Sequence, residues 1–245
     1  AACLCDRGAP GMAGMTTNKH GGNIRKIAQA AGCPPEAICD FSASINPLGP
    51  PESLRRVIAS SVSSLVHYPD PDCTELMATF AGRFGVMPEE VLAGNGSTEL
   101  LYLLPRVTGA LRAVIPVPSY ADYVSAARLG GLTVEKVPLA EEKGFAPDLQ
   151  ALSRHLRDHD LVMLGQPNNP TGVLCDQDAL RNLAKDHPRA TFVVDESFLP
   201  FVDEAQGCEK GRQTQSHDPR TISTWDQEVD ARRPGEPVGP PATGR

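Results

Sequence analysis

Apolar and polar positions fall in blocks along this chain, and the clearest blocks lie between Asp160 and Phe198. Leu161-Val162-Met163-Leu164 is an apolar run of strand length, and Thr191-Phe192-Val193-Val194 is another. Both end in polar text: Gln166-Pro167-Asn168-Asn169-Pro170-Thr171-Gly172 after the first, Asp195-Glu196-Ser197-Phe198 after the second. Between them Ala179, Leu180, Leu183 and Ala184 recur at helical spacing behind Asp176 as N-cap, predicting strand, loop, helix, strand. Runs that are apolar throughout suit strands covered on both faces, hence parallel strands with a helical crossover. Such strands deliver their following loops to one sheet edge, the ligand edge of open α/β folds, so Asn169 and Asp195 are expected to meet there. A carboxylate at the end of so apolar a strand is costly to desolvate unless a cation or several donors face it; otherwise it caps the next turn.

The remaining blocks extend this pattern. Residues 1–19 are small, Gly-rich and aperiodic, and are expected to form a disordered leader with Met12 or Met15 as alternative starts. His20-Gly21-Gly22-Asn23 precedes a short amphipathic helix from Ile24, and Asp40 to Pro51 is turn-rich, since Pro47, Pro50 and Pro51 exclude a helix interior. Helices are predicted over 51–65, with Leu54, Val57, Ile58, Ser61 and Leu65 on one side, and over 72–84, with Leu76, Phe80 and Phe84 inward. Tyr68-Pro69-Asp70-Pro71 between them reads as a turn. Val91-Leu92-Ala93 then runs into Gly94-Asn95-Gly96-Ser97-Thr98-Glu99 and a helix. That order makes a phosphate cradle, in which amides at a helix N-terminus and the Ser97 and Thr98 hydroxyls face an anion. Strands follow at 112–118 and 132–137, with a helix opened by Ser119–Tyr123 and another over 147–157.

Composition narrows the class. At 245 residues and 40% apolar content the chain can bury a real core. A net charge of −7 without a basic run argues against nucleic acid as the main partner, and no apolar run reaches membrane-span length. Seven cysteines without paired metal spacing read as free thiols of a cytoplasmic protein. His155 and His159, one helical turn apart among charges, read as a solvated face and not as metal ligands.

The Asn-Asn-Pro-Thr-Gly loop followed by Asp-Glu-Ser-Phe resembles the fold type I pyridoxal-phosphate enzymes, in particular threonine-phosphate decarboxylase and histidinol-phosphate aminotransferase. The resemblance covers residues 20–204. It implies a three-layer α/β large domain with a mostly parallel sheet, and pyridoxal 5'-phosphate as cofactor. Asn169 would bond the ring 3-oxygen and Asp195 the protonated ring nitrogen, which keeps the ring an electron sink. Gly96, Ser97 and Thr98 would hold the cofactor phosphate. Tyr123, with Tyr120 as second choice, would stack on the ring. Tyr68 would reach the cofactor phosphate of the neighbouring subunit in a homodimer. His-Gly-Gly-Asn and Asp-Phe-Ser-x-x-Ile-Asn-Pro resemble the decarboxylase more than the aminotransferase, which implies that His20, Gly21, Gly22 and Asn46 line the pocket of a phosphorylated amino-acid substrate. Phe198, where aminotransferases usually carry a tyrosine, points the same way. On this reading 20–60 is a substrate-side segment and 61–204 the incomplete cofactor-binding domain. The implied activity is decarboxylation of L-threonine O-3-phosphate for cobalamin synthesis, with transamination of the histidinol-phosphate type as the alternative.

After Glu204 the text changes. Residues 205–245 contain no Leu, Met, Phe or Tyr, and are expected to be disordered. The family's Ser-x-Thr-Lys phrase, whose lysine forms the Schiff base, belongs about thirty residues after Asp195 and is absent. Asp226-Gln227-Glu228 is encoded GAY-CAR-GAR, and a one-base shift reads AYC-ARG-ARG, which permits Thr-Lys. A reading-frame change from about Ala205 is therefore expected, and the second functional class is an inactive chain lacking its lysine.

Overall fold

The computed structural model describes residues 21–43, 46, 48–202 and 221–224. Contacts divide the chain into two compact units, Ala1–Asp70 and Pro71–Arg245. The contact boundary thus lies at 70/71, and the expected one at 60/61. It would cut a continuous helical stretch, in which α2 (Glu52–Ser61) runs directly into a 3-10 turn at Val62–Val66.

In the first unit α1 (Ile24–Ala31) is capped by Asn23, whose side chain accepts from the Lys26 N–H, and ends at Gly32 in the left-handed conformation. The expected apolar side of α2 is present but uncovered among the described residues: Leu54, Val57, Ile58 and Leu65 are all exposed.

The second unit is built on one sheet. Helix α3 (Thr74–Phe84) comes first, with Leu76 exposed and Phe80 and Phe84 half-buried against each other. Then follow α4 (Gly96–Val107), β1 (Arg112–Val117), α5 (Ala121–Leu129), β2 (Thr133–Pro138), α6 (Leu149–His155), β3 (Asp160–Gly165), α7 (Gln177–Asp186), β4 (Thr191–Asp195) and β5 (Thr221–Thr224). The strand order is β2-β1-β3-β4-β5, and every pairing is parallel. Strand β5 corrects the expectation that all of 205–245 lacks structure. Thr-Ile-Ser-Thr is rich in β-branched residues, and the open edge of β4 offers it a backbone to pair with. The rest of that stretch and residues 1–19, expected as a leader, lie outside the described residues.

The continuous apolar runs are explained by two cores, one on each sheet face. Val114, Val162, Leu164, Phe192 and Val194 meet Leu152 of α6 and Leu180, Leu183 and Ala184 of α7. Their alternating neighbours Ala113, Ile115, Leu161, Met163 and Val193 meet Leu101 of α4 and Tyr123 and Ala127 of α5. A strand covered on both faces cannot alternate with polar residues, so its text is apolar throughout. Asp176 caps α7 as expected, accepting from the Ala179 N–H at 2.7 Å.

This topology fixes where a site can form. β1 connects outward to β2, whereas β3 connects the other way to β4, so the direction reverses between β1 and β3. The crevice beyond the C-terminal ends of those two strands is the binding position of open α/β sheets. The opposite edge is closed by charge: Arg112 binds the buried Asp160 carboxylate through Nε (2.9 Å) and Nη2, Glu135 through Nη1, and the His155 carbonyl at 2.7 Å. Among the described residues no helix is long and apolar enough to cross a membrane.

Candidate active site

The loops following β1, β3 and β4 converge at the switch point with the start of α4. They enclose a cavity of about 130 Å3 lined by Ser97, Thr98, Tyr120, Tyr123, Pro167, Asn169, Asp195, Ser197 and Phe198. Asn169 and Asp195 thus lie on the same sheet edge, as the crossover argument requires.

Asp195 ends β4, level with Gly165 of β3. Its Oδ2 accepts from the Tyr123 hydroxyl at 2.7 Å; its Oδ1 accepts from the Ser197 hydroxyl at 2.6 Å and the Ser197 N–H at 3.1 Å. The cost of taking a carboxylate from water is thereby met by three donors. Tyr123 is 1% exposed and packs in the α5 core. Burial first, then the Asp195 charge, pushes its phenol well above the usual tyrosine range. Gly165 leaves little room here: a Cβ would come within 3.1 Å of the Asn168 Cα and 3.3 Å of the Tyr123 hydroxyl oxygen, so those neighbours would have to shift to admit it.

The Asn-Asn-Pro loop is held by residues whose part spacing alone does not reveal. The buried Gln166 amide pairs both ways with the Cys175 backbone at 2.8 Å, and its own N–H donates to the Asp195 carbonyl at 2.7 Å, tying the ends of β3 and β4. Buried Asn168 donates to the Pro118 carbonyl at 3.0 Å and to the Thr171 hydroxyl at 2.8 Å, bridging the loops after β1 and β3. Asn169 is left facing the cavity.

Two of the expected cofactor contacts have other commitments in this structure. Gly96 has φ +78° and turns the chain into α4, but its N–H is committed to the Gly94 carbonyl at 2.9 Å and it does not line the cavity. The first turn of α4 instead presents Ser97 and Thr98, with the positive end of a helix of three turns behind them. Tyr123 has a ring sunk in the core and a hydroxyl occupied by Asp195, so it offers no face for stacking. Half-buried Tyr120, edge-on to Tyr123 with ring centroids 5.6 Å apart, lines the same cavity. Burial raises the Tyr120 phenol, and a hydrogen bond with Thr98 opposes that shift.

The other predicted residues belong to the first unit. His20 lies outside the described residues. Gly22 donates to the Ser42 hydroxyl at 2.9 Å, and that hydroxyl donates to Asp40 at 2.6 Å, so the two N-terminal phrases meet. Gly21 lies against the Ser42 carbonyl, where a Cβ would clash at 1.7 Å; only glycine fits. The Asn46 carboxamide accepts from the Leu48 N–H at 2.9 Å, and Tyr68 is fully exposed.

A parallel α/β sheet that brings a carboxylate held by three donors and a helix start to one switch-point cavity has the arrangement of the ligand sites of open α/β enzymes. The chain belongs to the aminotransferase class I and II family, whose model matches residues 36–224. It is 40% identical over 191 residues to the adenosylcobalamin biosynthesis bifunctional protein CobDQ of Leptospira interrogans, covering 76% of this chain and 22% of that one. It is 34% identical to the threonine-phosphate decarboxylase of Salmonella typhimurium (79% and 54% covered) and 31% identical to the histidinol-phosphate aminotransferase of Caldicellulosiruptor saccharolyticus (70% and 48%). The L-threonine-O-3-phosphate decarboxylase structure from Porphyromonas gingivalis superposes with a TM-score of 0.61 at 26% identity, over 77% of this chain and 55% of that one. The chain spans about half the length of the curated single-function relatives it matches.

The family is one of pyridoxal-phosphate enzymes, and the residues present fit that group. Asp195 and Asn169 bring a carboxylate and an amide to the cavity, and α4 brings Ser97, Thr98 and a positive helix end to it. Among the described residues lining the cavity there is no lysine.

Proposed function

We propose that this chain carries the cofactor-binding half of an enzyme that decarboxylates L-threonine O-3-phosphate to an aminopropanol phosphate in cobalamin biosynthesis. The observation that carries this reading is the Asp195 carboxylate, held by three donors across the cavity from Ser97 and Thr98. Pyridoxal phosphate, when bound, supplies an electron sink for the pair released at the substrate α-carbon. Asp195 would hold the ring nitrogen, Asn169 the ring 3-oxygen, Ser97 and Thr98 the phosphate, and Tyr120 would cover the ring. His20, Gly21, Gly22 and Asn46 are assigned to the phosphorylated substrate. Tyr68 is assigned to the cofactor phosphate of the second subunit in a homodimer, in keeping with its full exposure. Thiols outside any disulfide at Cys33, Cys39 and Cys175 support a cytoplasmic location.

Phe198 on the cavity wall favours decarboxylation, since it withholds the phenol that aminotransferases usually add there. Transamination of an imidazole amino-alcohol phosphate is the second reading, supported by the similarity to histidinol-phosphate aminotransferases. The chain as it stands would not turn over, for want of its lysine. Its text is proposed to leave frame after Thr224 and not at Ala205; the family match to residue 224 and the pairing of β5 support this later position. Assays on the repaired full-length gene separate the two reactions. Carbon dioxide released from L-threonine O-3-phosphate without a keto acid supports the first, and turnover of the imidazole substrate that depends on a keto acid replaces it with the second.

A further inference from the structure

We propose that Ser197 is a positioning residue that decides which oxygen of Asp195 meets the cofactor ring nitrogen, an inference that rests on the reading of Asp195 just given. A carboxylate offers about four lone-pair positions. The Ser197 hydroxyl at 2.6 Å and the Ser197 N–H at 3.1 Å fill Oδ1, and the Tyr123 hydroxyl at 2.7 Å takes one position of Oδ2. With these donors, all that the described residues supply, one acceptor position is left, and it is on Oδ2.

The two bonds from Ser197 differ in their requirements. The N–H contact is the ordinary turn made by a residue two places after an aspartate, and any residue except proline can supply it. The hydroxyl contact needs Ser or Thr at 197. Residue 197 also lines the cavity, so its hydroxyl is spent on Asp195 although open space lies beside it. With Oδ1 filled and Oδ2 tied to a tyrosine locked in the core, the carboxylate plane cannot turn without breaking a charge-assisted bond. Ser197 and Tyr123 therefore clamp the carboxylate from its two oxygens and leave it a single geometry for an incoming N–H. Without the hydroxyl, Oδ1 regains a lone pair, and two orientations compete for the same ring proton.

The test uses the full chain with pyridoxamine 5'-phosphate, a probe that needs no lysine to bind. Affinity is read by fluorescence titration, and protonation of the bound ring nitrogen by absorbance against pH. Ser197→Ala is expected to weaken binding about tenfold and to move the ring-nitrogen titration about one unit toward that of free probe. Ser197→Thr, which keeps the hydroxyl, is expected to stay within about twofold of the unaltered chain in affinity. Asp195→Ala tests the underlying reading. If the unaltered chain does not bind the probe, or Asp195→Ala binds as well as it does, that reading is overturned and the inference with it. If Asp195→Ala weakens binding while Ser197→Ala matches the unaltered chain in affinity and titration, the inference alone is overturned. It is likewise overturned if Ser197→Thr behaves like Ser197→Ala, because packing and not the hydroxyl then explains the effect.

Discussion

Replacing Tyr123 by phenylalanine removes one atom that is involved in both folding and the site. The ring stays in the core between α5 and the sheet, so the apolar burial is kept. The loss is a hydroxyl donating to a carboxylate at 2.7 Å from a residue 1% exposed. Hydrogen bonds to charged groups contribute about 1.5–3 kcal/mol. The lower part of that range applies, because Asp195 keeps both Ser197 donors and is not orphaned. We expect a loss of about 2 kcal/mol, read in urea as a lower midpoint at unchanged slope. In a chain of this size that corresponds to a melting temperature lower by about 4–8 °C.

The pH dependence gives a second reading of the same bond. The Tyr123 phenol is raised by burial and by the Asp195 charge, so the folded state holds its proton more tightly than the unfolded chain does. The stability this contributes is complete below the unfolded tyrosine value near pH ~10 and is lost as pH rises beyond it. Phenylalanine cannot titrate, so the alkaline loss of stability should be shallower in Tyr123→Phe. A variant that unfolds at the original midpoint, with the same alkaline slope, would refute the claim that this hydroxyl is tied to Asp195.

Three further outcomes are expected. Arg112→Met should cost about 3–5 kcal/mol in urea unfolding, because Asp160, 3% exposed, keeps only the Arg157 N–H at 2.8 Å; a loss below that of an ordinary surface change would contradict the buried pair. Gly165→Ala should cost about 1–3 kcal/mol and also weaken pyridoxamine phosphate binding, because the added methyl presses on Asn168 and the Tyr123 hydroxyl together. Resequencing the gene should find an open shifted frame encoding Thr-Lys downstream of codon 224, and its absence would end the frame-change proposal.

How legible the molecule was depended on which physical signal each element carries. The central strands could be read because burial on two faces forces continuous apolar text, and the loops after them because parallel strands hand their ends to one edge. Tyr120 and Tyr123 could not be separated by proximity in sequence. The helix register separates them by burial: α5 begins at Ala121, and Tyr123, Ala126 and Ala127 at spacings of three and four lie on its buried face, while Tyr120 precedes the helix and is half-buried, although both line the cavity. That spacing was present in the sequence and distinguishes the buried ring from the half-buried one. Gly96 could not be settled this way, since whether an amide faces an anion or its own loop depends on the local turn. Ser197 was hidden because Asp-x-Ser is common in turns, and only the distance to Asp195 distinguishes a clamp from a cap.

The end of the sheet bears on the missing lysine. Composition averaged over 205–245 is poor in large apolar residues, and that average concealed four residues that pair with β4. The register sets Thr224 opposite Asp195, so β5 ends level with the carboxylate that the site is built around. A parallel strand hands its next loop to the same edge as its neighbours do, so a lysine needed beside Asp195 and Asn169 would be encoded directly after that strand. The family match stops at residue 224, and the codons of Asp226-Gln227-Glu228, read one base on, permit Thr-Lys. The proposed change of frame is therefore placed there and not at Ala205, where it leaves the pairing of β5 with β4 intact and falls just before the position a lysine would need to reach the cavity lined by Asp195, Asn169, Ser97 and Thr98.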